Sequence, residues 1–203
     1  MNNSVLASID HQAASRSIAR YGFGLFPEAI SPSALAAMQA EARARLADAV
    51  LAEDAKGELR YRAHLTSLGP YALGFLRDPA LTGLLTRHFG GEYSLSEEIS
   101  CLTRYDAHSH LGAHLDTPAE RCAVTILVYL EADGPDPDGQ ETGLVLHVYG
   151  KERDSVANPR LTIPTVAGSI VLGRGSEIWH ERPALAPGES VVAITGCYGR
   201  SDR

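Results

Sequence analysis

Apolar positions in the first 90 residues recur three or four apart, the spacing of a helix with one buried face. Leu35, Met38, Ala42, Leu46 and Val50 form such a stripe, which predicts a helix of roughly 18 residues. Ser31-Pro32-Ser33 opens it with an N-cap and a proline in the first turn. A second helix is predicted from Asp78-Pro79, with Leu81, Leu84, Leu85 and Phe89 as its apolar face and Gly90-Gly91 as its stop. The stretch between them, Lys56 to Tyr71, is polar and glycine-bearing and predicts no particular element.

After residue 95 the period shortens. Runs rich in β-branched and aromatic residues appear between glycines and prolines: Ile99 to Tyr105, Ala123 to Leu130, Gly143 to Tyr149, Leu161 to Ile163, Gly168 to Leu172, Glu177 to Glu181 and Ser190 to Tyr198. Many short strands at this spacing predict a sandwich or barrel. The segment Glu131 to Thr142, dense in Asp, Gly and Pro, is expected to be an exposed loop. Residues 1–95 therefore read as mainly helical support and 96–203 as a β core, one α+β domain with helices packed on one face of an antiparallel sheet.

Composition adds limits. At 203 residues, 44% hydrophobic and 21% charged, the chain fits a single domain with an ordinary core. No apolar run approaches the ~20 residues of a membrane span, and the N-terminus has no basic segment followed by an apolar one, so neither a membrane partner nor secretion is expected. Cys101, Cys122 and Cys197 lack metal-site spacing and are expected to be reduced core residues, which suits the cytoplasm. The net charge of −7, with no basic stripe, argues against a nucleic-acid partner. Oligomeric state is not legible.

The chemistry begins at His114-Leu115-Asp116. In an extended strand, residues two apart point to the same side, so an imidazole and a carboxylate can converge on one point. Two histidines and one carboxylate with open positions are the arrangement of non-haem Fe(II) oxygenases. His-x-Asp alone is weak. These residues also read as ordinary polar strand positions with a structural histidine elsewhere.

The segments on either side of the motif are more specific. Leu102-Thr-Arg-Tyr105 leads into it; Arg121-Cys-Ala-Val-Thr125-Ile-Leu127-Val-Tyr129-Leu130 comes after it; then come Thr142-Gly-Leu-Val-Leu-His147, Val166-Ala-Gly-Ser-Ile-Val-Leu172, and His180-Glu-Arg-Pro183 with Gly188. In this order, from Leu102 to Tyr198, the chain resembles the core of the iron(II)/2-oxoglutarate-dependent oxygenases, in particular their prolyl-hydroxylase-like branch. The match has one extra residue between Arg121 and Thr125 and lacks one glycine before Leu144.

The resemblance implies a double-stranded β-helix (jelly roll, cupin-like) and a dioxygenase that couples oxidation of a C–H bond to conversion of 2-oxoglutarate and O2 into succinate and CO2. It implies Fe(II) on His114, Asp116 and His180, and 2-oxoglutarate contacts from Tyr129 and Tyr105. Thr125 and Leu127 share strand parity with Tyr129 and are expected to face the same cavity. Related halogenases replace the carboxylate with a small residue, so Asp116 implies hydroxylation, with desaturation or ring closure open. The family usually grips the far carboxylate of 2-oxoglutarate with an arginine about ten residues after the distal histidine, where this chain has Ser190. Arg182, two residues past His180, is the expected substitute, with a hydrogen bond from Ser190. Arg121 and Arg174 are alternatives, and an ion pair with Glu181 or Glu189 is the plain reading of Arg182.

His108 and His110 are either substrate contacts or loop decoration, and Trp179 is expected to pack behind the ligand strand. The expected substrate is a small molecule such as a free amino acid or natural-product intermediate, met at a rim of Arg104, His108, His110 and residues from Lys56 to His64. A cupin-like metal-binding protein without 2-oxoglutarate turnover, and an interaction module with a dead site, are the competing readings.

Overall fold

The computed structural model describes residues 4–7, 10–55, 59–135 and 142–201. The chain opens with α1 (His11–Tyr21), β1 (Phe23–Phe26), α2 (Pro32–Leu46), β2 (Val50–Asp54), β3 (Tyr61–Thr66), α3 (Pro70–Leu76), α4 (Pro79–Phe89) and β4 (Tyr93–Leu95). The remainder is β5 (Cys101–Tyr105), β6 (His110–His114), β7 (Val124–Asp133), β8 (Val145–Val148), β9 (Leu161–Pro164), β10 (Ile170–Gly173), β11 (His180–Arg182) and β12 (Ser190–Arg200).

The two predicted helices form with their expected caps. Ser31 Oγ accepts from the Ala34 amide at 3.4 Å and Asp78 Oδ1 from the Ala80 amide at 2.8 Å. Gly90, at φ 68°, ends α4. The stripe from Leu35 stops at Leu46, however, and Val50 begins an edge strand with 69% of its surface exposed. The first 90 residues are less helical than expected, because β1, β2 and β3 join the sheet. At the other end, β7 runs through Asp133, three residues into the expected loop; residues 136–141 of that expectation lie outside the described residues.

All pairings are antiparallel, in the order β1-β10-β7-β12-β5-β3-β6-β11-β8-β9, with β2 on β3 and β4 on β12. β5 to β12 divide into two walls, β5-β12-β7-β10 and β6-β11-β8-β9. Tyr129, Val171 and Ala193 from the first wall pack with Leu146, Val148 and Ile163 from the second, so the walls face each other in a double-stranded β-helix. The alternate residues of the first wall, Ile126, Val128, Leu172 and Ile194, face outward and are covered by Met38, Phe75, Leu81 and Leu85 of the helices. Period-two alternation thus makes two cores, one beneath the helices and one inside the barrel.

One expectation is overturned. Cys122 and Cys197 form a disulfide, with Cα atoms 4.6 Å apart, and Cys101 alone is free. The turn before β7 lies beside the end of β12, which brings together two cysteines 75 residues apart. The thiol argument for a reducing compartment no longer holds. No helix among the described residues is long and apolar enough to cross a membrane.

Candidate metal centre

His114 ends β6 and His180 begins β11, and the two are directly paired across the ladder. Asp116 is not in a strand, as the sequence predicts, but in the loop after β6. It is held there by its amide, which donates to the Gly175 carbonyl at 2.9 Å. One ligand atom from each of His114, Asp116 and His180 lies within 4.8 Å of the others. His114 Nε2 is 3.3 Å and His180 Nε2 3.7 Å from Asp116 Oδ1.

Both imidazoles are oriented from behind. His114 Nδ1 donates to the Gly112 carbonyl at 2.9 Å and His180 Nδ1 to the Ile178 carbonyl at 3.0 Å. A carbonyl only accepts, so each Nδ1 carries a proton and each Nε2 is the atom turned to the common point. The charge states suit a cation. Burial and the neighbouring His114 push His180 down to about 4, so it stays neutral near pH 7. Burial alone would raise Asp116, but His180, His114 and the Thr125 hydroxyl together hold it at about 2, fully ionised. Two imidazole nitrogens and one anionic oxygen are a fit donor set for a divalent transition metal with positions to spare.

A cavity of about 50 Å³ runs from this cluster into the barrel. β6 reaches it twice because of an irregularity in its pairing: His180 and Arg182, two apart on β11, oppose His114 and Leu111, three apart on β6. The bulge turns both Leu111 and His114 inward. Thr125, Leu127 and Tyr129 line the cavity as their parity predicts, and Tyr105 joins them. The Thr125 hydroxyl, though, is committed to Asp116 Oδ2.

Arg182 also lines the cavity, with only 4% of its surface exposed. Its guanidinium lies over the Tyr105 and Tyr129 rings, 5.3 Å from each centroid. Nη2 donates to the Tyr129 hydroxyl at 2.9 Å; Nη1 donates to Thr165 Oγ1 at 3.0 Å and to the Gly143 and Val145 carbonyls at 3.4 Å. Every partner is neutral, and among the described residues no carboxylate pairs with it. Glu181 accepts from Tyr149 and His147, and Glu189 from Thr142 and the amides of Gly143 and Ala186. The other two arginines considered are engaged elsewhere, Arg121 with Glu98 at 2.7 Å and Arg174 with Glu177 at 3.7 Å.

Ser190 is not among the cavity residues. On β12 it is Ala193 and Thr195 that face inward, so the position three before Ala193 faces out. The expected rim also divides. Arg104 alternates with inward-facing Tyr105 and pairs across the ladder with His64; both turn away from the cavity and share Asp106 at 3.1 and 3.4 Å. His108 is exposed at φ 68°, and His110 Nδ1 contacts its carbonyl at 3.1 Å. Positions 56–58 of that rim lie outside the described residues. Trp179 sits on the outer face of its wall beneath the Arg153 guanidinium, 5.8 Å from its ring centre. Sequence reasoning missed Gly175, whose backbone underlies the Asp116 carboxylate so closely that a Cβ there would overlap Oδ2. The available signal was Gly173-Arg-Gly175, two glycines after a strand and shortly before the distal histidine.

No family model matches the chain, and no curated protein matches its sequence. Solved structures do match in fold. A Pseudomonas putida prolyl-4-hydroxylase superposes with a TM-score of 0.65 at 18% identity, covering 94% of this chain and 98% of that one. The epimerase SnoN of nogalamycin biosynthesis, in complex with Fe3+, alpha-ketoglutarate and nogalamycin RO, gives 0.74 at 16% identity over 92% and 82%. HygX from Streptomyces hygroscopicus, with nickel, 2-oxoglutarate and hygromycin B bound, gives 0.64 at 16% identity over 94% and 87%. The fold is that of the 2-oxoglutarate-Fe(II) oxygenases.

Proposed function

We propose that this chain, residues 1–203 as a single domain, is an Fe(II)- and 2-oxoglutarate-dependent dioxygenase that hydroxylates a small molecule. The observation that carries the reading is Arg182, a buried guanidinium with only neutral partners, lining the same cavity as the His114, Asp116 and His180 cluster. A buried cation is costly unless an anion joins it. A dicarboxylate that places one end at the cluster and the other at Arg182 meets that need.

His114, Asp116 and His180 would hold Fe(II), which when bound supplies the chemistry of O2 activation. The protein's own residues do the rest. Arg182 and the Tyr129 hydroxyl hold the far carboxylate of 2-oxoglutarate, and the Tyr105 ring closes over the guanidinium. Leu111, Leu127 and Leu146 keep water from the cavity. The overall change is substrate, 2-oxoglutarate and O2 to hydroxylated substrate, succinate and CO2. A small-molecule substrate is supported by the nogalamycin and hygromycin compounds in the SnoN and HygX structures. A free amino acid or natural-product intermediate is the class proposed.

The test is anaerobic loading with Fe(II) and 2-oxoglutarate, followed by O2 and measurement of succinate. Succinate from the wild type and none from Asp116→Ala is expected. Arg182→Met is expected to weaken 2-oxoglutarate binding roughly 10- to 100-fold, the loss of a charge-assisted contact. Metal binding without succinate would replace this reading with that of a metal-holding cupin.

A further inference from the structure

The second oxygen of Asp116 shows how the metal's carboxylate is aimed. A carboxylate beside a cation can offer one oxygen or two, and it can rotate about its Cβ–Cγ bond. Here Oδ1 faces the two Nε2 atoms, and Oδ2 accepts the Thr125 hydroxyl. Gly175, by carrying no Cβ, leaves the space that Oδ2 and the Thr125 hydroxyl occupy.

Thr125 is itself fixed. In the β7–β12 ladder its Cα partner is Cys197, and the disulfide returns from Cys197 to Cys122, three residues before Thr125. Cys122 Sγ lies 3.5 Å from Thr125 Oγ1. The covalent link ties to β12 the end of the turn in which the Arg121 and Cys122 amides both donate to the Pro118 carbonyl at 3.0 Å. The turn from Asp116 to Thr125 is therefore fastened at both ends.

We propose that Thr125 is the positioning residue of Asp116: its hydroxyl occupies Oδ2 and presents Oδ1 alone to the metal. This rests on the metal reading above and deepens it. With one oxygen from Asp116 and two imidazole nitrogens, the protein takes three coordination positions and leaves the others to cosubstrate and O2. A carboxylate binding through both oxygens would take one of those. Parity places Thr125 on the cavity wall; the role assigned here is a contact with Asp116 rather than with 2-oxoglutarate.

The experiment is titration with Co(II) under argon, read by its visible absorption, on wild type, His114→Ala, Thr125→Val and Thr125→Ser, each checked by thermal melting. Val matches Thr in shape but donates nothing. Its Co(II) affinity is expected to fall roughly 10- to 100-fold, as for other groups that orient a metal ligand. Its absorption band should change in position or intensity as Asp116 rebinds through both oxygens. Ser restores the hydroxyl and is expected to return both readings close to wild type. Should Thr125→Val fail to fold, Thr125→Ala carries the same comparison. A Val variant that binds like wild type overturns the proposal while leaving the metal site intact, and so does a Ser variant as weak as Val. Wild type and His114→Ala binding Co(II) alike would remove the metal reading itself.

Discussion

At the scale of single residues, the site depends on what does not protrude. Gly175 leaves room for the Asp116 carboxylate, and a Cβ there would meet both Oδ2 and the Thr125 hydroxyl. Gly175→Ala should therefore push Asp116 out of line and weaken metal binding roughly 10- to 100-fold, measurable by the same Co(II) titration. Unchanged affinity would show that the carboxylate has slack. The proposed ligands were legible as a group: His114, Asp116 and His180 meet as the resemblance implies, and Arg182 reaches the cavity by its parity with His180. Ser190 was misplaced because it was carried over from a family position, whereas alternation along β12 puts Ala193 and Thr195 inside. Thr125 was placed correctly, yet its partner was not readable, since a hydroxyl inside a cavity says nothing of which acceptor it meets.

At the scale of elements, capping and periodicity located α2 and α4, but neighbours decided much of the rest. α3 begins at Gly69, which has no side chain to cap it. Instead Glu41 of α2 accepts from the Tyr71 amide at 2.7 Å and the Ala72 amide at 3.0 Å. Glu41→Ala should cost about 1 kcal/mol, as loss of an N-cap does, and lower Tm by roughly 2–4 °C. Retention of the wild-type Tm would mean that water replaces the carboxylate at no cost. Such a cap, supplied from 30 residues away, leaves no local trace. β3 and β6 were hidden for a related reason. Tyr61-Arg-Ala-His-Leu-Thr66 and His110-Leu-Gly-Ala-His114 carry few β-branched residues, and their pairing with each other and with β5 makes them strands.

For the whole molecule, the disulfide joins the start of β7 to the end of β12, the most extensively paired strands of the first wall. Closing a loop of 75 residues restricts the unfolded chain by about 4 kcal/mol in the chain-entropy model. Reduction with a phosphine should lower Tm by roughly 8–16 °C, with free thiols in denatured protein rising from one to three. Three thiols before reduction would show that the bond does not form. Sequence could not supply this pairing, because three cysteines permit three different bonds and only the strand order brings Cys122 and Cys197 together.

β3 shares hydrogen bonds with β5 through His64 to Thr66 and with β6 through Tyr61 and Arg62. One short span of chain thus stitches both walls along a common seam and turns two stacked layers into a single folded ribbon. Sliding one layer past the other would tear that stitch. Opening and closing of the interior is left to the connections at the ribbon's margins, while the ribbon keeps His114 and His180 on one side in fixed register with Thr125 and Tyr129 on the other.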